Sequence, residues 1–106
     1  MTDKEYSEYI KDMLSQLDGV SFKPMMGEYI LYYNGRIAGG LYDNRLLVKP
    51  VSAALRLLPG ARYELPYDGA KPMLLVEDTD SGEFLCELLT AVYDELPEPK
   101  KKKSNK

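Results

Sequence analysis

The sequence predicts an α+β domain, a two-layer arrangement in which two long helices pack on one face of an antiparallel β-sheet. Three observations lead to it. Apolar residues recur at helical spacing near both ends of the chain, two hairpin turns follow one another in the middle, and the helical segments are segregated from the strands. The expected sheet is a meander with one or two further strands.

Residues 5–18 read as an amphipathic helix. Tyr6, Tyr9, Ile10, Met13, Leu14 and Leu17 share one side, with Glu5, Glu8, Lys11, Asp12 and Gln16 on the other. Thr2 or Asp3 is placed to cap the start, with Glu5 completing a capping box if Thr2 is the cap. Gly19 stands where a glycine past the helix end belongs. Phe22–Gly27 follows as an edge strand or extended lead-in, because Pro24 cannot donate to a central ladder.

Glu28–Tyr33, the turn Asn34-Gly35 and Arg36–Tyr42 form the first hairpin, and Asn-Gly is the strongest short signal for a type I′ turn. Asp43-Asn44 then returns the chain into Arg45–Lys49, and Pro50 ends that strand. Ser52–Leu58 reads as a short helix stopped by Pro59-Gly60. A short strand is expected at Ala61–Leu65, and Pro72–Glu77 reads as a central strand because it is apolar on both faces. Asp80-Ser81-Gly82 opens a last helix over about 81–95, with Phe84, Leu85, Leu88, Leu89, Val92 and Leu96 as its buried stripe and Pro97 as its end.

Composition narrows the class. The 106 residues suit one domain, and 44% hydrophobic with 29% charged residues is a globular balance. Residues 1–96 read as that domain, and 97–106 as a lysine-rich, disordered tail. The single cysteine cannot form an internal disulfide, no apolar run approaches the roughly 20 residues of a membrane span, and the N-terminal residues do not resemble a signal peptide. A cytoplasmic protein without membrane contact is the expectation. Net charge is −3, yet five lysines lie in the last seven residues, and without them nine basic residues face 17 acidic ones, about −8. Such a core repels phosphate backbones, so nucleic acid is expected at most as a weak, non-specific contact of the tail.

Histidine is absent, which excludes Ser-His-Asp and Cys-His machinery and histidine-ligated metals. One cysteine excludes thiolate zinc sites, and Cys86 is read as a half-buried structural thiol. No phosphate-binding glycine motif is present. Glu77, Asp78, Asp80 and Glu83 lack the spacing of a calcium loop and suit helix N-terminal charges. No cofactor, metal or catalytic residue is assigned.

If both turns hold two residues, strand register assigns every side chain to a face. Ile30, Tyr32, Ile37, Gly39, Leu41, Leu46 and Val48 then lie under the helices. The opposite face carries Tyr29, Tyr33, Arg36, Tyr42, Arg45 and Lys49 around the small residues Ala38 and Gly40. Tyrosine and arginine are enriched at interface hot spots, so these six are the candidate interaction face. It is either a solvated sheet surface, a homodimer or partner interface, or a site for a small anionic ligand. Gly39 and Gly40 can alternatively mark a bulge, which would shift the register and undo half of the assignment.

The segment Lys23-Pro24-Met25-Met26-Gly27-Glu28-Tyr29-Ile30-Leu31-Tyr32-Tyr33-Asn34-Gly35-Arg36 resembles the opening motif of the TfoX N-terminal domain family. That family shows a Met-Phe-Gly core, an aromatic-rich strand, an Asp-Gly or Asn-Gly turn and a third strand ending in lysine. Leu46-Leu47-Val48-Lys49 is similar to that strand, and Tyr67-Asp68-Gly69-Ala70-Lys71-Pro72-Met73 to a later stretch. Met26 stands where phenylalanine is usual. The likeness spans about residues 5–96. It implies a two-layer α+β fold and a link to regulation of bacterial competence, and it brings no catalytic residues. Full-length regulators of that kind carry a second, C-terminal domain, whereas residues 97–106 offer Pro-Glu-Pro and lysines.

The expectation is therefore a non-enzymatic regulatory or protein-interaction domain, a homodimer or the receptor of a protein partner, working through the six-residue face. The alternative is a domain binding a small anionic ligand, or an enzyme using carboxylates and tyrosines. That alternative requires a concave pocket near Gly40 lined by Arg36, Arg45 or Lys49.

Overall fold

The computed structural model of the chain describes residues 1–98. It forms α1 (Lys4–Met13), β1 (Val20–Met25), β2 (Glu28–Tyr33), β3 (Arg36–Leu41), β4 (Leu46–Val48), α2 (Ser52–Leu57), β5 (Tyr63–Glu64), β6 (Met73–Val76) and α3 (Gly82–Val92), which tightens into a 3-10 turn over Tyr93–Glu95. All six strands join one antiparallel sheet in the order β1-β2-β3-β4-β6-β5. The α+β class holds, and β6 lies inside the sheet as its apolar faces require. The expected tail over 97–106 falls, from residue 99 onward, outside the described residues. Glu98, assigned to that tail, meets Arg36 at 3.8 Å.

Three two-residue turns generate the first four strands. Asn34 and Gly35 have φ of 49° and 84°, and Asp43 and Asn44 have 54° and 58°. Positive φ at both central positions is the type I′ geometry whose twist matches the flanking strands. The third turn is Met26-Gly27, with φ of 51° and 86°, which closes β1 onto β2 with Met25 opposite Glu28. Sequence reasoning read this stretch as an edge strand or extended lead-in; the edge strand is there, and the turn went unread because methionine is not a turn residue. Pro24 does lie on an edge strand, as expected.

The first helix stops at Met13, five residues short of the expected end. The Leu14 amide donates to the carbonyls of both Ile10 and Lys11, and Leu17 donates to Leu14. The bonds from Leu14 to Lys11 and from Leu17 to Leu14, each to the third residue back, wind the chain more tightly than an α-helix, and Leu14 stays buried although the helix has ended. Gly19, at φ 93°, therefore serves the entry to β1 rather than a helix cap, and its carbonyl accepts the Asn34 amide at 2.8 Å. The capping residues are also redirected. Asp3 holds the N-cap position without a side-chain cap; its carboxylate accepts from Asn44 Nδ2, and the Thr2 hydroxyl donates to Glu28. The last helix follows expectation at its start, where the Ser81 hydroxyl accepts the Phe84 amide at 3.1 Å.

One core cluster joins Ile10 and Leu14, Ala53 and Ala54, and Leu85, Leu88, Leu89 and Val92 from the helical segments to Leu31, Leu41, Leu46, Val48, Leu74 and Val76 of the sheet. Each fully buried aliphatic side chain stabilises by roughly 1.5–3 kcal/mol, against about 0–1 kcal/mol for an exposed ion pair. This face therefore decides the strand register.

That register is not the uninterrupted one. Tyr33 opposes Arg36 and Tyr32 opposes Ile37, but Leu31 opposes Gly39, Ile30 opposes Gly40 and Tyr29 opposes Leu41. Ala38 is the extra residue of a β-bulge, two residues on β3 facing one on β2. The shift reverses β2 relative to β4. Leu31 and Tyr33 turn to the core with Leu41 and Val48, whereas Ile30 and Ile37 turn to the other face. The slip is physically favoured because it buries Leu31 to 1% exposure and leaves Ile37, at 39%, outside.

Candidate functional site

The bulge separates the six residues of the predicted interaction face. Tyr33 belongs to the core, its ring edge-on to Tyr93 at 5.4 Å. Arg36 stacks 4.3 Å above the Tyr93 ring and donates from Nη1 to the Tyr93 carbonyl at 3.0 Å. Tyr29 packs half-buried against the same core. Arg45 binds the Tyr42 carbonyl at 2.9 Å, Glu64 at 2.7 Å and the Leu65 carbonyl at 3.2 Å, which ties the second hairpin turn to β5. Both arginines are thus engaged within the chain. Only Tyr42 and Lys49 of the six meet in one cavity.

That cavity is a groove of about 520 Å³ on the sheet face turned away from the core. Ile30 and Ile37 contribute apolar surface from β2 and β3, and Met73 does so from the start of β6. The loop carrying Pro66, Tyr67 and Lys71 forms another wall, and Lys49 lies at the end of β4. Sequence reasoning missed most of these residues. Ile30 and Ile37 were assigned to the helix face by the unbroken register, and the 66–72 loop carries only turn signals. The cue that was available is Gly39-Gly40, beside the bulge.

The two glycines have separate reasons. A Cβ on Gly39 would strike the Leu47 carbonyl of the neighbouring strand. At Gly40 a Cβ would lie 2.5 Å and 2.8 Å from Cε2 and Cζ of Tyr42, whose ring therefore rests over the glycine. Tyr42 is 5% exposed and 6.1 Å from the Tyr67 ring. Burial, followed by the proximity of Tyr67 and Glu28, holds its phenol above the ordinary value, so it remains a neutral donor. Among the described residues the Tyr42 hydroxyl has no hydrogen-bond partner, unusual for a buried polar group.

The charges of the groove are also unbalanced. Half-buried Lys49 and exposed Lys71 form no ion pair among the described residues. Glu95 reaches the same groove, but its Oε1 accepts the Ala53 amide at 2.8 Å at the start of α2.

A second cavity of about 520 Å³ lies between the end of α1 and the start of α3. Its charged side chains, Asp12, Asp80 and Glu83, are all acidic, and the lining offers Cys86 no cation. Asp80 accepts the Tyr9 hydroxyl at 2.7 Å, and Glu77 pairs with Arg62 at 3.0 Å. Those carboxylates act as structural partners. No helix among the described residues is long and apolar enough to cross a membrane.

Comparison with known proteins places the chain in a family. It is 32% identical over 104 residues to a Spirochaeta aurantia protein described as an uncharacterized 12.7 kDa protein in the trpE 5′ region, an alignment covering 97% of this chain and 90% of that one. The chain belongs to the same family as that protein. No protein-family model and no solved structure matches it.

Proposed function

We propose that this relative of the spirochaete 12.7 kDa protein is a non-enzymatic regulatory domain that docks a protein partner in the groove on its open sheet face. The observation that carries this reading is the groove's composition, apolar and aromatic side chains around two lysines without an ion pair and one buried hydroxyl without a hydrogen-bond partner among the described residues. Tyrosine and methionine are enriched in interface cores. Tyr67 of the groove wall is 55% exposed, and Leu65, 46% exposed, adds apolar surface outside the groove. The resemblance of residues 23–36 to the TfoX N-terminal domain family supports a regulatory role, and the acidic core supports a protein rather than a nucleic-acid partner.

The cavity volume favours a second reading, a small organic anion, since about 520 Å³ falls within the range of small-molecule pockets. A homodimer joined groove to groove is less suited to the charges, because two-fold symmetry brings like patches together and would gather Lys49 and Lys71 of both copies.

Sedimentation equilibrium of the wild type and an Ile37→Asp variant, alone and with candidate partners purified from the native host, tests the proposal. A complex formed by the wild type and lost in the variant, at unchanged thermal stability, is the expected result. Equal complex formation by both proteins contradicts docking at the groove.

A further inference from the structure

We infer that the groove recognises a carboxylate set among apolar residues of the partner, an Asp or Glu flanked by large hydrophobic side chains, received by Tyr42, Lys49 and Lys71. The inference rests on the docking reading and adds the chemistry of the partner. Three independent observations converge on it.

The first is Tyr42. Its side chain is at least nine-tenths buried, lines the groove and lacks a hydrogen-bond partner among the described residues. A neutral phenol in such a place is a donor for an acceptor that arrives with a ligand, and a carboxylate oxygen makes the stronger, charge-assisted bond. The second is the lysine pair. Arg36, Arg45 and Arg62 each meet a carboxylate within the chain, at 3.8, 2.7 and 3.0 Å, whereas Lys49 and Lys71 meet none among the described residues. Glu95 at the groove does not compensate them by contact, because the Ala53 amide holds it. The third is the wider field. Nine basic residues against 17 acidic ones outside the terminal lysines make residues 1–99 strongly negative. An acidic partner is repelled by most of such a surface and drawn to this groove, whose Lys49 and Lys71 form no ion pair among the described residues, which supplies orientation as well as attraction.

Apolar flanks are required by the remainder of the lining. Ile30, Ile37 and Met73 offer surface that a carboxylate alone leaves in water. Ile37 is 39% exposed and Tyr67 55%, so uncovered apolar area lines the groove beside the polar groups. An extended segment carrying one acid between hydrophobic residues meets both demands.

A random peptide library displayed on phage, selected against the full chain, provides the test. The expected consensus has Asp or Glu beside large apolar residues. A fluorescein-labelled version of the most enriched peptide is then measured by fluorescence anisotropy. Hydrogen bonds to charged groups correspond to on the order of 10–100-fold in affinity, so Tyr42→Phe should weaken binding at least about 10-fold. A peptide with its acid changed to the amide should bind weakly to both proteins and no longer distinguish them. The pair of substitutions Lys49→Gln and Lys71→Gln should flatten the salt dependence.

A neutral or basic consensus whose binding is abolished by Ile37→Asp overturns the carboxylate inference and leaves groove docking intact. Enriched peptides insensitive to Ile37→Asp overturn both. Tyr42-dependent binding of sodium octanoate with no peptide enriched also overturns the inference, in favour of a small organic acid.

Discussion

Tyr42 and Gly40 are mutually dependent: the phenol ring occupies the space that any side chain at position 40 would need, 2.5 Å from the nearest ring atom. The tyrosine reaches back across its own strand, from i to i+2 on one face, and the absence of a Cβ lets it lie flat against the sheet. The wall of the groove therefore depends on a hydrogen atom two residues away.

Gly40→Ala forces the ring outward and also sets the new methyl 2.6 Å from the Tyr29 carbonyl. Overpacking of this kind costs about 1–3 kcal/mol. Chemical denaturation should show a loss in that range, and near-ultraviolet circular dichroism should report altered packing of the tyrosines.

Glu28 links the N-terminal residues to the second hairpin turn. Its burial pulls the carboxyl upward, but the Asp43 amide, the Thr2 hydroxyl and the terminal ammonium outweigh that and hold it below its ordinary value. A depressed folded-state value stabilises the protein above the unfolded-state value of 4.5, and that contribution is lost as pH falls through the folded value. Glu28→Gln should be less stable than wild type by on the order of 1 kcal/mol near neutrality. The gap should narrow as the pH falls below 4.5 and the carboxyl becomes protonated; a gap independent of pH contradicts the assigned network.

Met26 is 96% exposed and sits at φ 51° in the turn between β1 and β2, beside the groove residue Met25. A left-handed conformation costs a residue with a Cβ about 1–2 kcal/mol, and asparagine tolerates it better. Met26→Asn should stabilise the domain by about 0.5–1 kcal/mol in thermal denaturation. Strain retained at an exposed apolar residue is the pattern of a functional position, so the same variant should bind a groove peptide more weakly. Unchanged binding confines Met26 to the turn.

These positions also show what the sequence made legible. Asn34-Gly35 and Asp43-Asn44 announce their turns because their residues tolerate positive φ, while Met26-Gly27 hides an equivalent turn behind an apolar residue. The stripe of the last helix was readable because Leu85, Leu88, Leu89 and Val92 all reach one core. The first helix was overread because Leu14 and Leu17 keep packing on that core after the helix has ended. The candidate site was half legible for a sharper reason. Alanine at the bulge carries no signal, and one extra residue there reverses the side chains of β2 and of the start of β3 relative to the strands that follow. Tyr42 and Lys49 stayed with the open face because they lie beyond the bulge, on the side that pairs as expected. Tyr29 and Tyr33 went to the core with β2, Arg36 turned to Tyr93, and Ile30 and Ile37 took the place predicted for them.

The most direct test pairs two readings on a single variant, Tyr42→Phe: its melting temperature and its affinity for an acidic, apolar peptide selected on the groove. A hydroxyl with no internal partner contributes nothing to folding, so its removal is neutral or stabilising. The expected result is an unchanged or raised melting temperature with affinity reduced at least about 10-fold. A melting temperature lowered by several degrees with affinity unchanged would make the hydroxyl structural and contradict the assignment of the groove.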